Sequence, residues 1–119
     1  MIKLKRVYEP VARGDGRRVL VERLWPRGVR KDDGRVSEWL RDIAPSPELR
    51  RWYGHDPAKW VEFQRRYRAE LRRPARRRLL EALADEARRR TVTLVYAARD
   101  TERNSARLVR EELEKIPAG

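Results

Sequence analysis

Cysteine is absent from this chain of 119 residues, and histidine occurs once, at His55. Without cysteine there is no disulfide, no thiolate nucleophile and no iron–sulfur cluster. Structural zinc is excluded too, because one histidine leaves too few ligands. Long apolar runs are also missing. The longest, Val92 to Ala98, falls far short of the roughly twenty residues that a membrane helix needs. The first residues, Met1 to Arg6, contain no apolar signal segment. The expectation is a soluble, cytoplasmic protein with no membrane partner. No P-loop and no Gly-x-Gly-x-x-Gly pattern occurs, and no metal or cofactor is implied.

Charge is what the chain has in excess. Charged residues make up 42% of it and apolar residues 39%, with a net charge of +12. Both signs are present, together with four tryptophans and four tyrosines. That mixture fits a folded domain with a heavily charged surface better than disorder. The length suits one domain, residues 1–119, which buries roughly two-thirds of the surface its unfolded chain exposes. Twenty-six of the positive charges are arginine and five are lysine, a skew that GC-rich coding alone would produce. The charge is concentrated in residues 65–90, where eleven arginines face Glu70, Glu81, Asp85 and Glu86.

Hydrophobic periodicity organises the rest. Ile2 and Leu4 alternate with Lys3 and Lys5, which predicts a strand over 2–9. A turn-rich segment with Gly14, Asp15 and Gly16 follows. Val19 to Trp25 predicts a second strand. Val36, Trp39, Leu40 and Ile43 fall at i, i+3, i+4 and i+7, which predicts an amphipathic helix. Ser46-Pro47 reads as an N-cap and first helical residue, with Gly54 as the stop. Asp56-Pro57 repeats the start signal before a helix with Trp60, Phe63, Tyr67 and Leu71 inward. Pro74 opens another helix. Val92 to Ala98 predicts a third strand, apolar enough to be covered on both faces. A last helix starts near Asn104 or Ser105. Strands separated by helices predict an α/β fold: a small parallel sheet of about three strands, flanked by helices, with a helical insertion between the second and third strands.

In such sheets ligands bind beyond the carboxyl ends of the strands. Two segments leave those ends: Arg23-Leu24-Trp25-Pro26-Arg27-Gly28, and Tyr96-Ala97-Ala98-Arg99-Asp100 leading to Asn104. Arg23 shares a strand face with Val19 and Val21, where an unpaired charge would be very costly. It needs an internal partner, Asp56 or Asp100, or an anionic ligand, and the two weigh equally. Arg27 offers a bidentate fork for phosphate or carboxylate, and Gly28 allows close backbone approach. Each also suits a plain solvated turn. The helix start at Asn104 exposes free N–H groups at a positive dipole end, or is simply capped. Histidine is the residue type whose unperturbed side chain changes charge near neutral pH, so His55 and Asp56 form the candidate acid–base pair. The competing role of Asp56 is to cap the next helix. Trp25 and Trp52 could wall a pocket, whereas Trp39 and Trp60 belong to packing. The cysteine–arginine loop of phosphatases and rhodaneses would follow the third strand, but no cysteine is available.

These segments resemble domain-of-unknown-function family 488, in its short YeaO-like branch. The matching stretches are Lys5 to Glu9, Arg18 to Gly28, Trp39-Leu40 through Ala44-Pro45-Ser46, Glu48 to Arg50, Trp52 to Pro57, Trp60 with Phe63, and Thr93 to Asp100. The Leu-Trp-Pro-Arg-Gly segment is the most specific. The resemblance implies a small α/β fold with a parallel sheet and brings no activity with it. The branch often carries a histidine after the asparagine that matches Asn104, where this chain has Ser105. The longer branch tends to have cysteines, aligned with Tyr96 and Asn104, so cysteine chemistry does not transfer.

Three functions compete at this stage. One is a crevice for a small anionic ligand, phosphate or carboxylate, with or without catalysis. The second is nucleic-acid binding through the arginine-rich helices of residues 65–90. The third treats those charges as a solvated surface laced with ion pairs.

Overall fold

A computed structural model describes residues 1–118. Four strands form one sheet: β1 (Ile2–Arg6), β2 (Arg17–Leu20), β3 (Glu38–Trp39) and β4 (Val92–Tyr96). Their order is β1-β4-β2-β3 and every pairing is parallel. β4 lies between β1 and β2, with Leu94 opposite both Leu4 and Val19. All five of its residues are buried, which is why its sequence shows no polar alternation.

The two sheet faces are covered differently. Val19, Val92, Leu94 and Tyr96 share one core with α1 (Pro47–Tyr53), α2 (Trp60–Leu71), α3 (Pro74–Arg89) and α4 (Ser105–Glu114). Leu20 and Val95 share the other with Val7 and Val29, backed by Trp25, Val36 and Trp39 from irregular chain. The helices therefore stack on one face and a long loop covers the other. No described helix is long and apolar enough to cross a membrane.

The helical starts and stops follow local chemistry. Ser46 Oγ accepts the Leu49 N–H at 3.2 Å, Pro47 opens α1, and Gly54 ends it at φ 55°. Asp56 caps a 3-10 turn, Pro57–Lys59, that leads into α2. Asn104 Oδ1 accepts the Arg107 N–H at 3.0 Å and caps α4. The buried Glu70 takes the Ser46 N–H and O–H and a guanidinium N–H of Arg76, at 2.6–2.9 Å. Tyr67 donates its O–H to the Ile43 carbonyl at 2.6 Å. These bonds fasten the start of α1 to α2.

The helix expected over Val36 to Ile43 is not formed. That segment is β3 followed by a 3-10 turn, Arg41–Ile43. Its backbone is committed to β2: the Ser37 N–H donates to the Arg18 carbonyl at 2.7 Å and the Leu40 N–H to the Leu20 carbonyl at 2.9 Å. The apolar residues divide between the two cores, Val36 and Trp39 to the loop side, Leu40 and Ile43 to the helical side. A spacing that mimics one helical stripe is here a ribbon feeding both faces. β2 also ends earlier than expected, at Leu20, and β1 at Arg6.

Candidate functional site

A crevice of about 660 Å³ opens beyond the carboxyl ends of β2 and β4. The chain leaving β2 contributes Glu22, Arg23, Trp25 and Arg27. The chain leaving β4 contributes Arg99, Asp100 and then Asn104 at the start of α4. The end of α1 and the residues after it add Arg50, Tyr53 and His55. The topology alone converges these segments, since β2 and β4 are adjacent and parallel and so release their chains on the same side.

Seven residues singled out from the sequence meet here: Arg23, Trp25, Arg27, His55, Arg99, Asp100 and Asn104. Four others do not line the crevice. Gly28 sits in an exposed turn at φ 78°, with open space around it. Trp52 packs under the Arg66 guanidinium and the Lys59 ammonium, at 4.2 and 5.1 Å. Asp56 is engaged with the Ala58 N–H at 3.0 Å as a cap. Tyr96 is buried in the helical-side core.

Arg23 finds neither expected acid. Because β2 ends at Leu20, its side chain leaves the sheet and donates to the Ala44 and Pro45 carbonyls at 3.3–3.4 Å. Asp100 is instead paired with Arg103 at 3.1 Å. The Arg103 and Glu102 N–H groups both donate to its Oδ1 at 2.9 Å and hold the carboxyl below its ordinary range. Among the described residues, no carboxylate pairs with Arg23, Arg27, Arg50 or Arg99. The last three are exposed. His55 is exposed as well and takes φ 57°, the one non-glycine residue described with positive φ. Such strain costs of order 1–3 kcal/mol and gathers at functional sites.

Sequence reasoning passed over three contributors. Arg50 and Tyr53 lie three apart and therefore share the face of α1 that looks into the crevice. Glu22 is the third. Its Oε1 accepts the Ala97 N–H, and burial pushes its carboxyl up against the opposing effects of that bond and of nearby Arg6. Its other oxygen has no described protein partner. The signal was available: an acid next to Arg23 at the end of an apolar strand. No group of three or more metal-ligating side chains occurs among the described residues.

Residues 1–117 match the family model described as the inactive DUF488-N3 subclade. The chain belongs to this family. Among curated proteins it is similar to Rv3073c of Mycobacterium tuberculosis H37Rv, an uncharacterized protein by name. The two are 45% identical over 112 residues, 94% of this chain and 92% of that one. It is 38% identical to YeaO of Escherichia coli K12 over 115 residues, 97% of this chain and 98% of YeaO. The resemblance read from Leu24 to Gly28 and the neighbouring stretches is thereby borne out. No solved structure matches the DUF488 chain.

Proposed function

We propose that the crevice binds a small anion, a phosphate ester or a carboxylate, and holds it without turning it over. The observation that carries this reading is the set of four guanidinium groups on one concavity, Arg23, Arg27, Arg50 and Arg99, with no carboxylate among the described residues pairing any of them. Guanidinium forks match phosphate and carboxylate geometry. The strained backbone of His55 at the same opening adds support. Binding is favoured over catalysis on two grounds. The Asp56 carboxylate accepts the Ala58 N–H as a cap and does not line the crevice, which gives less support to an acid–base pair with His55. The family to which the chain belongs is described as inactive.

The test is a thermal-shift and titration panel of phosphate, sugar phosphates, nucleotides and carboxylates. A ligand at 100 times its Kd should stabilise the fold by about 2.7 kcal/mol. The double substitution Arg27→Ala, Arg99→Ala should weaken it at least about tenfold, the equivalent of one charge-assisted hydrogen bond. Unchanged affinity in the folded variant refutes the reading.

The nucleic-acid alternative draws less support. Arg65 and Arg66 pair with Glu62. Arg68 and Arg72 pair with Glu112, Arg76 with Glu70, Arg77 with Glu81, and Arg89 with Asp85. Arg88 caps the Ile116 and Pro117 carbonyls. These contacts favour a solvated, ion-paired surface over residues 65–90.

A further inference from the structure

Glu22 gives the crevice a polarity that the arginines alone do not. Arg27, Arg50 and Arg99 line it as exposed side chains, whereas Glu22 is only partly accessible. One of its oxygens is held by the Ala97 N–H. The other has no described partner, yet it is not sealed from solvent: among the described residues Arg68 Nε is the one buried side-chain polar atom without a hydrogen-bond partner. It therefore faces the crevice as a free acceptor. A carboxylate in that position welcomes an N–H or O–H group and repels a second anion. A ligand ammonium is disfavoured by the surplus of guanidinium charge around it. A neutral donor is what remains. The lining also includes the largely apolar side chains of Leu24, Trp25 and Tyr53.

We propose that the crevice is a nucleoside-monophosphate site in which Glu22 accepts a hydrogen bond from the base while Arg27 and Arg99 hold the phosphate. The inference rests on the anion reading above and adds the substrate class and the residue that selects it. The cavity volume lies within the usual range of ligand sites, roughly 300–1,000 Å³. Apolar walls suit a base better than a sugar. Burial raises the Glu22 carboxyl, so a donor from the ligand relieves a charge that solvent serves poorly.

The experiment is calorimetric titration of the full chain with three probes at fixed salt. They are guanosine monophosphate, purine riboside monophosphate, whose base has no N–H, and inorganic phosphate. Guanosine monophosphate should bind about ten- to a hundredfold tighter than the donor-free analogue, the effect of one hydrogen bond to a charged group. In Glu22→Gln the Ala97 N–H keeps the amide oxygen and turns the amide N–H₂ into the crevice. Acceptor becomes donor, and the preference should fall to near one. Equal binding of both nucleotides to the unaltered chain overturns the role of Glu22 and leaves the anion reading intact. A preference that survives in folded Glu22→Gln overturns it too. If none of the three probes binds, the nucleotide assignment falls, and the anion reading is then decided by the carboxylate and sugar-phosphate arms of the panel above.

Discussion

Asp15 shows how much one side chain can hold. It is 1% exposed and accepts Lys5 at 3.0 Å, Arg18 at 2.7 Å and the Ala12 N–H at 3.0 Å. Arg18, equally buried, also donates to the Val7, Glu9 and Arg35 carbonyls. Burial alone would raise the Asp15 carboxyl, but the Ala12 N–H, Lys5 and Arg18 outweigh it and bring it down to about 2. Asp15→Asn leaves Arg18 buried without its counter-charge, and should cost about 3–5 kcal/mol in urea unfolding at neutral pH. The sign with pH follows from the lowered value. The stabilisation is complete above the unfolded-state carboxyl range, near 4, and is lost as pH falls from there toward 2. The gap between the parent chain and Asp15→Asn should therefore close over that window. A gap constant down to pH 2 would place the stabilisation elsewhere.

At the scale of elements, the tightest point is where β2 begins. Gly16 takes φ 61°, and a Cβ there would lie 2.0 Å from the Thr91 carbonyl oxygen. Thr91 immediately precedes β4, so the added Cβ would meet backbone, which cannot swing aside, at the entry to the two strands that position the crevice. Gly16→Ala should cost about 1–3 kcal/mol for the dihedral alone, with the clash added. Circular-dichroism melts against Gly14→Ala, a site without positive φ, make the comparison. The legibility of the elements divides along the same physical line. Helices α1 and α4 were readable because Ser46, Pro47, Gly54 and Asn104 act on bonds within a few residues. β3 was not, because Ser37 and Leu40 answer to Arg18 and Leu20, about twenty residues away. The crevice was readable through strand order and the arginines at the strand ends. Glu22 was missed because its meaning depends on Ala97, which only the β2–β4 pairing brings near.

For the whole molecule, net charge and available charge differ. The chain carries +12, yet of the eleven arginines in residues 65–90 only Arg73, Arg78 and Arg90 have neither a carboxylate nor a carbonyl partner for their side chains among the described residues. Exposed pairs contribute little individually, about 0–1 kcal/mol, but they occupy the guanidinium groups. Duplex DNA binding at low salt should then lose affinity with a log–log slope of roughly −3, since each phosphate contact contributes about −0.9. A slope near −10 would mean that the ion pairs open on binding and that residues 65–90 form a dedicated nucleic-acid face. Fluorescence anisotropy across a salt series distinguishes the two.

The strand order also sets a timetable. β1 has one partner in the sheet, β4, and β4 also joins β2 to it. On a ribosome adding roughly 5–20 residues per second, the segment Ile2–Arg6 waits on the order of 5–20 s for Val92–Tyr96 to be made. During that interval it is an unpaired strand edge, the kind of surface that invites association with other chains. Its alternating lysines, Lys3 and Lys5, guard the nascent chain before they serve the finished one.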